Sequence, residues 1–372
     1  PQKFMAQGVY PYFREIEGKQ GTEVEMGGHE VLMFGSNAYT GLTGDERVIE
    51  AGIKAMHKYG SGCAGSRFLN GTLDLHVQLE KELAAFVGKD EALCFSTGFT
   101  VNSGVIPALT DRNDYIICDD RDHASIVDGR RLSFSQQLKY KHNDMADLEK
   151  QLQKCNPDSV KLIIVDGVFS MDGNVAPMDQ ICDLAEKYDA LVMVDESHSA
   201  GVVGATGHGV SELYKTHGRV DIYTGTLGKA FGGALGGFTT GRKEIIDLLR
   251  QRSRPYLFSN SLAPGIIGAS LEVFKILKES NALHDKLVEN VNYFRDKMTA
   301  AGFDIKPTQS AICAVMLYDA KLSQIYAARM QEEGIYVTGF YYPVVPKDQA
   351  RIRVQISAGH NKDCLLYTSD AA

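Results

Sequence analysis

The feature that most constrains the fold is an alternation of two hydrophobic patterns from about Glu46 onward. Segments such as VIEAGIKAMHKYG and LHVQLEKELAAFVG carry apolar residues three and four positions apart, which predicts amphipathic helices. Between the helical segments lie short apolar runs that end in polar or glycine residues: DYIICDD, VKLIIVDG, ALVMVDESH and GRVDIYTGT. Such runs are typical of strands buried on both faces. The alternation predicts an α/β fold with a mostly parallel sheet.

The chain has 372 residues, a length that suits roughly two domains. We expect an N-terminal arm over residues 1–45, with a strand pair around EVEMGGHEVLMFG, and a major domain over residues 46–275. Towards the end, long helical stretches precede short strands in AICAVMLYD, GIYVTGFYY and ARIRVQISAG. This change predicts a smaller α+β domain over residues 276–372.

Composition excludes several classes of partner. The net charge is -8 and no long basic run occurs, so nucleic acid and anionic membranes are poor partners. Apolar runs such as ALVMV are too short for a transmembrane segment. The 7 cysteines are scattered without a C-x-x-C pair, which indicates reduced thiols in the cytoplasm and argues against a disulfide framework or a metal site. No signal peptide is visible, and because the chain begins at Pro1, the sequence leaves open whether further residues precede it.

A single lysine, Lys229, stands in the glycine-rich stretch TGTLGKAFGG. A phosphate-binding P-loop would need a glycine at Tyr223 and a hydroxyl at Ala230, so that motif fails. Two interpretations remain: a solvated lysine in a glycine turn, or a lysine that forms a Schiff base with a flat cofactor. The segment GSGCAG fits G-x-G-x-x-G, but a helical pattern precedes it, so a glycine-rich substrate loop is favoured over a dinucleotide site.

Polar residues at the ends of the predicted strands favour the Schiff-base interpretation. Asp195 ends LVMVD, where a carboxylate could cap a helix, form a salt bridge, or hold the protonated ring nitrogen of pyridoxal phosphate (PLP). His198 follows in DESH and could move protons at neutral pH. His123 could stack on a ring, and Ser170 could bond the ring oxygen.

A phosphate site is also predicted. CFSTGFTVNSG places Gly98 and Phe99 at a helix start, where free N–H groups bind anions. Thr226 offers a hydroxyl for the same phosphate. Each residue taken singly is more often structural, but together they indicate a PLP site.

Seven segments together resemble the α-oxoamine synthases, PLP enzymes of the aspartate-aminotransferase fold (fold type I): GTLDLHVQLEKELAAF, DHASIVDG, DGVFSMDG, VMVDESHSAG, TGTLGKAFGG, RSRPYLFSNSLAP and ARIRVQISAGH. The resemblance implies a catalytic set of Lys229 as Schiff-base lysine, Asp195 as pyridinium partner and His198 as acid/base. It implies further cofactor contacts from Gly98, Phe99, His123, Ser170, Thr226, Ser259 and Asn260. Ser259 and Asn260 resemble residues that reach the cofactor of a partner subunit, which implies a homodimer. Arg353 resembles the arginine that binds the substrate carboxylate, although an arginine on a surface strand fits the pattern too. The resemblance also implies that His123 faces the substrate.

The resemblance differs between the two halves of the chain. Up to about Val168 the segments are most similar to bacterial serine palmitoyltransferases, and from about Ala176 to glycine C-acetyltransferase (2-amino-3-ketobutyrate CoA ligase). A fusion of two homologous genes and a single member with mixed features both fit this pattern. After SAGH, family members continue into a long amphipathic helix, whereas this chain reads NKDCLLYTSDAA. We therefore expect residues 361–372 to be foreign or truncated.

The resemblance implies an acyl-CoA:amino acid C-acyltransferase. In this family the amino acid forms an imine with PLP, loses its Cα proton and attacks the acyl-CoA thioester, and CoA departs. The half that carries Lys229 favours glycine with acetyl-CoA, giving 2-amino-3-oxobutanoate. L-serine with palmitoyl-CoA, giving 3-oxosphinganine in sphingolipid synthesis, is the alternative. An aminotransferase and a PLP-binding regulator are more distant possibilities, and the regulator would need a DNA-binding segment that the sequence lacks.

Overall fold

The computed structural model describes residues 2–6 and 13–371. Residues 1 and 7–12 of the predicted arm and residue 372 of the predicted small domain lie outside the described residues. The strands are β1 (Glu23–Met26), β2 (His29–Met33), β3 (Glu91–Phe95), β4 (Tyr115–Asp119), β5 (Gln136–Tyr140), β6 (Lys161–Asp166), β7 (Leu191–Asp195), β8 (Ile222–Thr226), β9 (Gly237–Gly241), β10 (Ile312–Tyr318), β11 (Ile335–Tyr336), β12 (Thr338–Phe340) and β13 (Ala350–Gln355).

The helices follow the predicted amphipathic segments and add several short ones. They are α1 (Gln2–Ala6), α2 (Glu46–Tyr59), α3 (Asp74–Val87), α4 (Gly98–Leu109), α5 (Ala124–Arg131), α6 (Met145–Leu152), α7 (Met178–Lys187), α8 (Val210–Tyr214), α9 (Lys243–Arg252), α10 (Arg254–Phe258), α11 (Pro264–Glu279), α12 (Ala282–Ala300), α13 (Ala320–Glu332) and α14 (Lys362–Ala371), and a 3-10 turn covers Leu42–Gly44.

The chain divides into two compact units. The first unit contains the described residues up to Gly44, the short segment Ser170–Asn174, and the chain from Asn281 onward. The second unit contains Asp45–Phe169 and Val175–Ser280. The chain therefore leaves the second unit for five residues, 170–174, before it returns.

A seven-stranded sheet in the order β3-β9-β8-β7-β6-β4-β5 forms the centre of the second unit. The pairs β4–β5, β4–β6, β6–β7 and β7–β8 are parallel, whereas β9 is antiparallel to both of its neighbours. The predicted α/β class with a mostly parallel sheet is confirmed. Every residue of β6 is buried, as expected for a strand whose two faces are covered by helices.

Helix α4 packs into the main hydrophobic core of the second unit. Its residues Val101, Val105 and Ile106 are fully buried together with Leu162 and Met193 of the sheet. Because this helix is apolar around most of its circumference, its first turn is held at a fixed place beside the strand ends. That placement matters for the site described below.

Two three-stranded sheets organise the first unit. One has the order β1-β2-β11, in which β1 and β2 form the predicted strand pair and are antiparallel. The other has the order β10-β13-β12 and is antiparallel. The segment GIYVTGFYY, predicted as one strand, contains both β11 and β12, because residues before Val337 pair with β2 and residues after it pair with β13.

The C-terminal tail forms helix α14 within the first unit. Leu365 is fully buried, and the hydroxyl of Tyr367 donates to the carbonyl of Glu333 at 2.9 Å. An ion pair joins Lys362 to Glu289 at 2.7 Å. The residues predicted to be foreign or truncated are thus helical as far as Ala371. Within the part of the chain that the structure describes, none of the helices has the length and apolar character that a membrane span requires.

Candidate active site

Lys229 lies in the loop that joins β8 to β9, and its amine meets the imidazole of His198. The distance from Nζ of Lys229 to Nε2 of His198 is 2.9 Å. The backbone N–H of Leu227 donates to the carbonyl of Gly236 at 3.0 Å and closes the loop at its base. Gly236 has a φ of +117°, and a Cβ there would come within 3.0 Å of Leu227 and Leu262. The turn into β9 therefore requires glycine at position 236. The side chain of Lys229 is half-buried and lies beside His198.

Asp195 ends β7, and its side chain is buried. Oδ1 accepts a hydrogen bond from the backbone N–H of Ser197 at 2.9 Å, and Oδ2 accepts from Nδ2 of Asn102 at 2.7 Å. A carboxylate offers about four acceptor positions, so Asp195 keeps capacity for a further donor. Asp166 of β6 and Thr224 of β8 lie opposite Asp195 in the sheet register. Three neighbouring strand ends thus present polar side chains at one edge of the sheet.

The first turn of α4 faces the end of β8. The hydroxyl of Thr97 accepts from the backbone N–H of the third helical residue at 3.0 Å, which caps the helix. A Cβ on Gly98 would lie 2.9 Å from Cβ of Thr226, so only glycine allows this approach. The first-turn N–H groups, including those of Gly98 and Phe99, have no acceptor within the helix and can bind an anion. The Thr226 hydroxyl donates to the carbonyl of Gly236 at 3.1 Å.

His123 caps α5 and is held on two sides. Its backbone N–H donates to Oδ2 of Asp166 at 2.7 Å, and its Nδ1 lies 2.7 Å from Oγ of Ser125. Its ring meets the ring of Phe99 edge-on, with centroids 6.5 Å apart and planes at 74°. Oγ of Ser125 also accepts from Asn102 at 2.9 Å. His123 is therefore linked through Ser125 and Asn102 to Asp195.

Buried carboxyl groups surround this edge of the sheet. Burial and the neighbouring Asp166 raise the pKa of Asp122 well above its usual range. Burial and the neighbouring Asp195 raise the pKa of Asp166, while Lys229 acts in the opposite direction. Burial also raises the pKa of Glu196 to about 7. Burial therefore favours the uncharged form of these neighbours of Asp195.

Ser259 and Asn260 follow α10, beside the approach to α4. Ser259 is half-buried and Asn260 is exposed. The carbonyl of Asn260 accepts from the hydroxyl of Ser96, two residues before the start of α4, at 3.0 Å. The two residues therefore lie near the predicted phosphate site of their own chain, and their predicted contact with a partner subunit stays a prediction.

Arg353 and Ser170 belong to the first unit and are described within it. The guanidinium of Arg353 is buried on β13, and burial lowers its pKa. One terminal nitrogen lies 3.4 Å from Oδ1 of Asn37, and the Gln355 amide, with its oxygen turned toward Arg353, accepts at 2.8 and 3.2 Å. Nε of Arg353 is buried without a partner among the described residues. A buried cation held by amides fits an anionic ligand. Ser170 begins the segment Ser170–Asn174.

These residues fit PLP. Asp195 is a buried carboxylate with spare acceptor capacity, as a pyridinium partner requires. The N-terminus of α4 lies so close to Thr226 that a Cβ on Gly98 would clash with that side chain. Glycine at this position leaves the backbone N–H groups accessible to a phosphate. Lys229 supplies an amine beside an imidazole. The site residues of the second unit thus combine the donors, the acid and the amine that the cofactor needs.

Three site residues escaped the sequence analysis: Asn102, Ser125 and Thr224. Asn102 lies inside the helix that the motif CFSTGFTVNSG begins, and Ser125 lies inside DHASIVDG. All three side chains are buried. A polar residue within a strongly apolar helix was the available signal, because a buried amide needs partners.

Relatives of the chain extend over nearly its whole length. The sequence profile of the family described as Aminotransferase class I and II matches residues 29–370. The chain belongs to this family. A serine palmitoyltransferase from Bacteroides ovatus is 64% identical over 363 residues, which cover 98% of this chain and 92% of that protein. A 2-amino-3-ketobutyrate coenzyme A ligase from Escherichia coli (strain K12) is 48% identical over 369 residues, 98% of this chain and 93% of that protein.

Solved structures agree with the sequence relatives. A structure of serine palmitoyltransferase with a PLP internal aldimine has a TM-score of 0.96 and 33% identity, and the match covers 100% of this chain and 95% of that chain. A serine palmitoyltransferase from Sphingomonas wittichii gives a TM-score of 0.95 at 32% identity, covering 100% and 94%. The predicted α-oxoamine synthase family, the aminotransferase-like fold and the enzyme class of PLP-dependent acyltransferase are confirmed.

Proposed function

We propose that this protein joins an amino acid to the acyl group of an acyl-CoA, releasing CoA and an α-amino ketone, with L-serine and palmitoyl-CoA as the substrate pair. The observation that carries the proposal is the Lys229 amine, 2.9 Å from His198, at the sheet edge where the buried Asp195 ends its strand. A lysine, an imidazole and a buried acid at one sheet edge are the groups that PLP chemistry at an amino-acid Cα needs.

Each cofactor group has a residue of this chain assigned to it. The carboxylate of Asp195 would hold the ring nitrogen in its protonated form, and His123 would pack on the ring face. The first-turn N–H groups at Gly98 and Phe99 would bind the phosphate together with Thr226. Ser170 is assigned to the ring oxygen. When bound, PLP supplies an electron-withdrawing ring that stabilises negative charge at the substrate Cα.

Proton transfer is assigned to Lys229 and His198. Because Nζ and Nε2 are 2.9 Å apart, the two nitrogen atoms can pass a proton directly. Removal of the Cα proton leaves an electron pair that forms a C–C bond to the thioester carbonyl carbon. The C–S bond then breaks, and CoA leaves as a thiol after taking up a proton. Arg353 would hold the amino-acid carboxylate by bidentate hydrogen bonds. With serine, that carboxylate would leave as CO2, and the electron pair left at Cα would take up a proton from the Lys229–His198 pair.

Two substrate pairs have support. The motifs of the C-terminal half favour glycine with acetyl-CoA, and the E. coli 2-amino-3-ketobutyrate coenzyme A ligase is 48% identical. The Bacteroides ovatus serine palmitoyltransferase is 64% identical over 98% of the chain, so its resemblance extends across both halves. We favour L-serine with palmitoyl-CoA because this higher identity includes the segments that carry Lys229 and Arg353.

A competition assay separates the two pairs. Purified protein loaded with PLP is offered glycine and L-serine, each with acetyl-CoA and palmitoyl-CoA, and thiol release is followed. We expect L-serine with palmitoyl-CoA to give the highest kcat/KM, and Lys229→Ala to abolish release with every pair. Preference for glycine with acetyl-CoA would reverse the substrate assignment. Amino transfer to a keto acid without thiol release would contradict the acyltransferase proposal.

We also propose a homodimer whose two active sites are shared, with Ser259 and Asn260 reaching the partner's cofactor. The half-buried and exposed positions of these side chains leave them available for such a contact. A cytoplasmic location is proposed because all 7 cysteines are unpaired. Sedimentation of the PLP-loaded protein tests the assembly, since an active monomer would contradict the shared site.

A further inference from the structure

Asn102 is the centre of a buried network that the roles given above do not include. It lies in the second turn of α4 and is completely buried. Its Nδ2 donates to Oδ2 of Asp195 at 2.7 Å and to Oγ of Ser125 at 2.9 Å. Its Oδ1 accepts from the hydroxyl of Thr224 at 3.1 Å. Turning the amide over would set Oδ1 against the Asp195 carboxylate, so these partners fix the orientation of the amide.

The fixed amide decides the direction of the next hydrogen bond. The Ser125 hydroxyl has one proton, and its oxygen already accepts from Asn102. That proton is therefore available to His123 Nδ1, which lies 2.7 Å away. The backbone N–H of Ser125 also points at the same nitrogen, at 3.2 Å. Because both neighbours are donors, Nδ1 of His123 must accept, and the ring carries its proton on Nε2.

We propose that Asn102 is a positioning residue that sets, through one amide group, both the orientation of the Asp195 carboxylate and the tautomer of His123. The inference rests on the proposed function only for the roles of Asp195 and His123 toward PLP. The hydrogen-bond network itself is formed by residues of this chain. An imidazole that must accept at Nδ1 cannot become a cation without losing those bonds. The network thereby keeps a second positive charge away from the cofactor ring, whose own positive charge Asp195 maintains.

The unaltered protein provides the first test. Nitrogen-15 NMR of labelled imidazoles distinguishes the two neutral tautomers and the cation, and the His123 signal is assigned by its absence in His123→Gln. We expect the Nε2–H tautomer at neutral pH, both before and after loading with PLP. A predominant Nδ1–H tautomer, or a cation at neutral pH, would overturn the proposal.

Asn102→Asp provides the second test, with the exposed Asn113→Asp as its matched control. An aspartate at 102 has no proton for Ser125: when ionised it only accepts, and when protonated its one proton bonds Asp195. Ser125 therefore turns its hydroxyl proton toward residue 102, and we expect His123 to gain a proton at Nδ1, because the hydroxyl contact at 2.7 Å is shorter than the backbone contact at 3.2 Å. We expect the His123 signal to change to the Nδ1–H tautomer or the cation, and kcat to fall by about 10- to 100-fold, the loss of one charge-assisted hydrogen bond. The control is expected to change neither.

Ser125→Ala keeps the experiment decisive if Asn102→Asp does not fold. It removes the link to His123 and leaves the bond from Asn102 to Asp195 in place. The backbone N–H of residue 125 still donates to Nδ1 of His123, but at 3.2 Å it is the longer of the two original contacts. We therefore expect a mixture of His123 tautomers, with a smaller loss of kcat than in Asn102→Asp. An unchanged Nε2–H tautomer in a folded variant would show that the backbone N–H sets the tautomer without Asn102, and would refute the coupling. The expected tautomers in a protein that releases no thiol with any acyl-CoA would instead refute the proposed function and leave the network intact.

Discussion

Replacing Asp195 by asparagine tests the proposed pyridinium partner, and the structure gives the size of the effect. The carboxylate accepts from Asn102 at 2.7 Å and from Ser197 at 2.9 Å. An amide has one accepting oxygen, so its NH2 group must face one of these two donors in either orientation. One hydrogen bond to a charged acceptor is lost, which is worth about 1.5–3 kcal/mol. If Asp195 faces the ring nitrogen as proposed, losing its charge costs a similar amount at the reacting centre.

The two losses are separated by measuring turnover and cofactor affinity independently. We expect kcat to fall by about 100-fold or more, since about 1.4 kcal/mol corresponds to a factor of ten. The Kd for PLP should rise by less than about tenfold, because Lys229 and the first turn of α4 are unchanged. Thiol release measures kcat, and fluorescence titration of the apo-protein measures the Kd. The exposed Asp120→Asn is the matched control.

A near-normal kcat in Asp195→Asn would refute this reasoning and make Asp195 a structural residue. The double variant Asp195→Asn with Asn102→Asp sharpens the comparison. It restores an amide–carboxylate hydrogen bond but places the carboxylate at position 102 instead of position 195. We expect the double variant to recover thermal stability of the apo-protein without recovering kcat. Recovery of both would show that the location of the charge does not matter.

Three further predictions follow from local geometry. Gly98→Ala places a Cβ 2.9 Å from Thr226, so the Kd for PLP, measured by titration, should rise by about 10- to 100-fold for a strain of about 1–3 kcal/mol. Arg353→Lys keeps the charge but loses the planar fork, so we expect KM for the amino acid to rise at least about tenfold with a smaller change in kcat. Burial raises the pKa of Glu196 from 4.5 to about 7, so the folded protein holds a proton that the unfolded chain has lost between these pH values. The free energy of unfolding should therefore fall across that interval, by on the order of 3 kcal/mol from this group, and urea unfolding of Glu196→Gln should show a smaller decline.

The sequence predicted β4, β6, β7 and β8 of the large sheet from their apolar runs, and it missed β3, β5 and β9. LVMVD became β7 as expected, because its side chains fill the buried faces of a parallel sheet. GFTTG became β9 without having been predicted. Its pairing depends on tertiary fit: Phe238 covers Gly225 so closely that a Cβ there would lie 2.6 Å from the ring. Threonine and glycine carry little strand preference without such a neighbour.

The candidate site also contains residues that the sequence predicted and residues that only the structure identifies. Lys229, Asp195 and His198 could be found because each stands at the end of a recognisable run. Asn102 could not be given a role, because nothing in the sequence indicates that its amide meets a strand end 93 residues away. Nε of Arg353, which has no partner in the part of the chain that the structure describes, is likewise a property of packing. Residues that position other side chains can be identified only from the folded structure, because their partners are distant in sequence.

The excursion of residues 170–174 has an evolutionary consequence. The chain passes between its two units at 44/45, 169/170, 174/175 and 280/281, so no single cut separates one unit from the other. The change in sequence character at DGVFSMDG falls on this excursion. A gene recombined there would take β3–β6 from one parent and β7–β9 from the other. The two lineages would meet along the β3–β9 pair and along the β6–β7 register, where Asp166 lies opposite Asp195. Asn102 and Asp195, which are joined by a hydrogen bond, would then come from different parents. Exchange at this point preserves function only between parents that already share that strand register and that amide.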